Sequence, residues 1–328
     1  MSDGELSGLA ILDAGSRSAG RPIEEWRTAF RRALGSINPC VAIVSLIVAA
    51  IWLVAMLALN GPRIQVDVPF AVVPSWGVLS LLSFVYGPLL QRNFRLAWAV
   101  WFIPLYFMTW LGGALLAYAC ALWGRPEIST ALVATDKAMQ LDWVGYANYL
   151  TRHPIASAML HHAYNSLMKE GVVLVVWLVV KDDRTKMVEA MLALTISLLL
   201  TDLLFGLFPS VTAPVGYDAP EFVLSPISVA QIGQILSGKP IHVDTLLGLV
   251  SFPSFHTAGA VLLAYLFRGT GVTPLAIILN TGIIAATPIF GGHYFVDIIG
   301  GALVASIAIL AARWAVARCS SWPLVRAL

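Results

Sequence analysis

The chain has 328 residues, of which 59% are hydrophobic and only 12% charged, and its formal net charge is +2. The charged share is about half that of an ordinary soluble domain, and so small a net charge excludes a nucleic-acid binder held by a basic surface. The apolar residues fall in long runs, so the expected class is all-α: a polytopic membrane helical bundle.

In chain order, residues 1–35 are expected to form a cytoplasmic tail, of which the first 25 are rich in Gly, Ser and charge. The first apolar run starts too far in for a cleavable signal peptide. Eight runs approach spanning length, at 40–60, 68–90, 96–123, 163–180, 187–208, 251–267, 272–291 and 294–316. About eight transmembrane helices are therefore predicted. They divide into accessory helices (36–124), an external segment (125–156), a membrane domain (157–318) and a cytoplasmic tail (319–328).

Basic residues test this threading. With the N-terminus inside, fourteen Lys and Arg fall on inner loops and tails, five fall outside, and Lys169 lies within a span. Every loop obeys the positive-inside rule, so both termini are expected in the cytoplasm. Cys40 and Cys319 are placed near the inner face and Cys120 near the outer, so no disulfide and no CxxC metal pattern is expected. The external stretches 125–154 and 209–250 read as a lid or vestibule.

Two ionisable residues lie deep. Lys169, on the stripe His162–Asn165–Ser166–Lys169, and Asp202 are both placed about 10 Å from the outer boundary by helical rise. Charges at that depth are paired or functional. The two are expected to pair, with Glu170 as competitor, or to line a headgroup pocket.

The same threading brings two histidines to the outer face. His256 follows "SFPSF" at the first turn of one run, where Ser254 can cap the helix and free amides form an anion site. His293 opens the last run with Asp297 one turn on, so the carboxylate can fix its tautomer and leave the other nitrogen basic. A protonatable imidazole at a helix mouth beside a carboxylate-oriented imidazole is apparatus for phosphoryl transfer without metal or other cofactor. One histidine attacks phosphorus and the other protonates the leaving oxygen.

"SFPSFHT" followed by "GGHYFVDIIGG" resembles the second and third signature motifs of the phosphatidic acid phosphatase type 2 superfamily. The details lean toward its inositolphosphorylceramide synthase and sphingomyelin synthase-like branch. The resemblance implies a six-helix-type phosphatase core in the second half, His293 as nucleophile, Asp297 as its orienter and His256 as leaving-group acid. It implies a lipid phosphate as substrate at the non-cytoplasmic face, with either water or an alcohol as acceptor.

Two departures stand out. The lysine of the first motif, seven residues before Arg-Pro, is replaced by Ala14 or Tyr118, and the arginine six residues before the third-motif histidine is Thr287. Lys239, Arg152 and Lys137 are the candidates to replace the missing phosphate clamp, and Gly291 and Gly292 allow close backbone approach. Expected substrate-binding residues are thus Ser254, Lys239, Lys169 and Asp202. Two rivals remain: a two-histidine, one-carboxylate metal triad, and a lipid transporter, for which matched broken spans are lacking.

Overall fold

A computed structural model describes residues 39–59, 61, 63–66, 94–243 and 245–320, together with residues 28, 78, 79, 82 and 85. The tails and the run at 68–90 lie essentially outside the described residues. The elements are α1 (Pro39–Leu59), β1 (Ile64–Val66), α2 (Phe94–Ala121), α3 (Ser129–Ala138), α4 (Trp143–Arg152), α5 (Pro154–Tyr164) and α6 (Leu167–Lys181). There follow α7 (Arg184–Leu207), α8 (Ala213–Gly216), α9 (Pro226–Leu236), β2 (Ile241–Val243), α10 (Phe255–Leu266), α11 (Thr273–Phe290) and α12 (Phe295–Ser320). The fold is an all-α membrane bundle whose only described strands are the short parallel pair β1–β2.

Among the described residues five helices are long and apolar enough to cross a membrane: α1, α2, α7, α11 and α12. α7 is the most buried of these and packs along both α2 and α12. Its sequence explains its start, because Asp183 caps the helix by accepting from the Lys186 amide at 3.0 Å. Asp182 takes a left-handed conformation (φ 53°) to make the turn from α6.

Two expected spans differ from the sequence reading. The run at 163–180 belongs to a pair, α5 and α6, bent by 43° at Asn165–Ser166. The predicted stripe from His162 to Lys169 therefore does not lie on one straight helix. The run at 251–267 yields only the twelve-residue α10, which rises about 18 Å, short of a hydrocarbon core of about 30 Å.

The expected Lys169–Asp202 pair does not form. Lys169 is exposed, whereas its neighbour Glu170 turns inward to accept from Asn280 Nδ2 at 2.7 Å. Asp202 is buried in α7, and its Oδ2 has no partner among the described residues.

The expectation of no disulfide is also corrected. The start of α1 lies beside the end of α12, and Cys40 bonds to Cys319 with a Cα–Cα separation of 6.3 Å. Cys120 is free and buried. The accessory helices are tied to the core at the other end too, where Tyr118 Oη donates to Gln231 Oε1 (2.8 Å) and accepts from the Leu247 amide (3.1 Å).

Candidate active site

The residue before α10 is tied to the first turn of α12 by a main-chain bond. The Ser254 amide donates to the Asp297 carbonyl at 3.0 Å, so both helices begin at one level. Ser254 caps α10, its hydroxyl oxygen accepting from the Thr257 amide at 3.3 Å. The loop Gly291–Gly292 then delivers His293. A Cβ on Gly291 would stand 2.6 Å from His293 Cδ2 and 2.8 Å from the Thr287 carbonyl, and Gly292 has φ +64°. Both positions need glycine, one for space and one for conformation.

His293 is 3% exposed and Asp297 is fully buried. His293 Nδ1 lies 2.7 Å from the Ser251 carbonyl and 3.3 Å from Asp297 Oδ2, so Nδ1 carries the proton and Nε2 keeps its lone pair. Asp297 Oδ2 also accepts from the Tyr294 amide (2.9 Å) and the Ser251 hydroxyl (3.1 Å). The His256 ring centroid is 6.5 Å from that of His293. The two expected histidines and Asp297 are thus brought together. Asp297 stands behind His293, on the side of Nδ1. Among the described residues no three His, Cys, Asp or Glu side chains converge as a metal site would require.

Several residues at this site were not foreseen. Tyr164, the last residue of α5, stacks on His256 with centroids 4.2 Å apart and planes 15° apart, its hydroxyl 3.3 Å from His256 Nδ1. Asp136, on the external helix α3, is fully buried. It accepts from the amides of Phe295 (3.0 Å) and Val296 (2.9 Å), the first turn of α12. Tyr217 donates its hydroxyl to the same carboxylate at 3.0 Å. Burial, and then the Asp136 charge beside it, push the Tyr217 phenol above its ordinary value, so it stays a donor. Trp143 of α4 stacks on Tyr217 and donates its indole N–H to the His293 carbonyl at 3.0 Å. The predicted vestibule is therefore a clamp on the histidine loop.

One signal for this clamp was in the sequence. The string "GGHYFVD" offers α12 no Ser, Thr, Asp or Asn at its cap position, so its free amides needed an acceptor from elsewhere.

The other candidates lie apart. Lys239 is exposed in the turn between α9 and β2, its amide donating to the Gln234 carbonyl. Arg152 ends α4, exposed, with Nε on the Asn148 carbonyl, and Lys137 is exposed on α3. Thr287, in the place of the motif arginine, is fully buried and donates to the Ile283 carbonyl.

The family model described as PAP2 superfamily matches residues 130–311, more than half of the chain. The match takes in Asp136, Trp143, Tyr164, His256, His293 and Asp297. No curated protein and no solved structure matches the chain.

Proposed function

This chain belongs to the PAP2 superfamily and is a phosphatase-type enzyme of phosphoric esters, and we propose that it acts on a lipid phosphate through a phosphohistidine intermediate. In this reading it is a lipid phosphatase or an inositolphosphotransferase-like transferase, working at the non-cytoplasmic face.

The observation that carries the reading is the unlike setting of the two imidazoles. His293 has Nδ1 bonded to Ser251 and backed by Asp297, which leaves Nε2 as a nucleophile. His256 faces it at the first turn of α10. In the first step, Nε2 of His293 bonds to phosphorus while the phosphorus–oxygen bond to the lipid breaks, and that oxygen takes the Nε2 proton of His256. In the second, water or an alcohol gives its proton back to His256 as its oxygen bonds to phosphorus and the phosphorus–nitrogen bond breaks.

Phosphate charge is met without the motif arginine. The first-turn amides of Phe255 and His256 point out of α10, and the Ser254 hydroxyl is beside them. Lys239→Ala tests a further contribution from that side chain and should raise KM on the order of tenfold if it reaches the phosphate. An apolar cavity lined by Tyr106, Trp110, Leu174, Met191 and Leu263 lies along α10 inside the bundle. Trp110 packs edge-on against Phe255, next to His256.

The test is turnover by purified protein in detergent of a panel of lipid phosphates, with and without inositol, sugar and lipid alcohols. An acid-labile phosphoenzyme should form with labelled substrate and vanish in His293→Ala. A panel with no turnover, or a phosphoenzyme that survives His293→Ala, overturns the reading.

A further inference from the structure

The two site histidines differ in what stands behind them. His293 is backed by a carboxylate, an anionic acceptor that makes its free nitrogen more basic. His256 is backed by the phenol of Tyr164, 3.3 Å from Nδ1, with the rings stacked at 4.2 Å. Tyr164 is set there by the break between α5 and α6, which ends α5 over the site and turns α6 away by 43°. Its hydroxyl also reaches the histidine loop, where a Cβ on Gly291 would lie 3.1 Å from it. The phenol thus sits against His256 and beside the loop that carries His293.

We propose that Tyr164 is the positioning residue that holds His256 as the acid of the reaction, a role that rests on the function proposed above. The stacked ring fixes the imidazole plane, and the phenol oxygen lies against its Nδ1 edge, so that Nε2–H faces the leaving oxygen. Because the phenol is neutral, it orients the ring without adding the negative charge that would strengthen the hold on the proton. The same contact persists through both steps. Nε2 loses its proton to the lipid oxygen in the first, regains one from the acceptor in the second, and no proton is left over. The pair therefore sorts itself into a carboxylate-backed nucleophile and a phenol-backed acid.

The test is a double-mutant cycle in full-length protein with Tyr164→Phe, His256→Ala and the double variant. Tyr164→Phe keeps the stack and removes only the hydroxyl. On a lipid phosphate, its kcat should fall on the order of tenfold, with KM little changed. In the His256→Ala background it should cause no further loss, because its effect passes through that imidazole. Across phosphate esters of different leaving groups, the loss should shrink as the leaving oxygen becomes a better anion, nitrophenyl phosphate being the extreme.

Losses that multiply in the double variant overturn the proposal, as does equal loss on every ester accompanied by a lower thermal midpoint. Normal turnover by Tyr164→Phe, with wild type active and His293→Ala dead, sinks this proposal alone. A wild type inactive on all phosphate esters sinks the functional reading as well.

Discussion

His293 donates to the main-chain carbonyl of Ser251 at 2.7 Å, a shorter bond than the 3.3 Å to Asp297. The imidazole tautomer is therefore set by two acceptors, one of which no side-chain substitution removes.

Asp297→Asn follows from this. The three donors on Asp297 all reach Oδ2, while Oδ1 is buried and has no partner among the described residues. An amide can put its oxygen at Oδ2 and keep all three bonds, losing only the charge behind His293. Turnover should drop on the order of ten- to hundredfold, well short of His293→Ala. Single-turnover phosphoenzyme formation is the direct measurement. An Asn variant as inert as His293→Ala would show that the carboxylate charge, and not the tautomer, is what counts.

Asp136 bears on the same loop from outside. It satisfies two first-turn amides of α12 and places a carboxylate at that helix's positive end. In Asp136→Asn one amide must face an NH2 group, and a buried donor left unpaired costs about 1–3 kcal/mol. The thermal midpoint in detergent and kcat should fall together. Tyr217→Phe, which removes one bond of the three, should be milder on both. An Asp136→Asn protein with unchanged stability and turnover would dissociate the clamp from the site.

These two carboxylates show what the sequence made legible. Asp297 stands one helical turn from His293 inside a compact motif, so local spacing revealed it. Asp136 acts on residues 295 and 296 from another element, and the uncapped start of α12 marks the need for an acceptor without marking which residue meets it. Tyr164 was hidden for a different reason. No Gly or Pro announces the break at Asn165–Ser166, so the run read as one helix whose polar residues made a stripe. The same misreading created the Lys169–Asp202 pair, because a straight helix sets Lys169 inward where the bent one turns Glu170 inward. The bundle itself was visible throughout, since apolar run length reports directly on the bilayer.

The glycines beside His293 give a prediction that separates space from conformation. Gly291→Ala places a methyl within 2.6 Å of His293 Cδ2, with the Thr287 backbone carbonyl blocking the other direction. The imidazole must move, and a displacement of about 1 Å at a reacting group is worth on the order of a hundredfold in rate. Gly292→Ala meets a strained φ of +64° instead, which costs about 1–2 kcal/mol. The first variant should lose kcat with a modest change in midpoint, and the second should lose stability first. Full activity in Gly291→Ala would mean that the loop relaxes freely and does not position the nucleophile.

The charges and the thiols of the protein together test its sidedness. Arg184 and Lys186 begin α7, and Lys186 reaches the Arg268 carbonyl beyond the end of α10 opposite His256. By the positive-inside rule these cations are expected in the cytoplasm and the histidines outside. Cysteines replacing Arg184 and Asp218, each in a background with Cys40 and Cys319 changed to Ser, should differ toward an impermeant thiol reagent on intact cells. The label should reach position 218 and spare position 184. Cys40 and Cys319 face the cytoplasm in this threading, where thiols are kept reduced. Both should be alkylated in acid-quenched cells and join as a disulfide only after purification in air. Finding them bonded in quenched cells, with position 184 labelled from outside, would invert the protein and move phosphoryl transfer to the cytoplasmic leaflet.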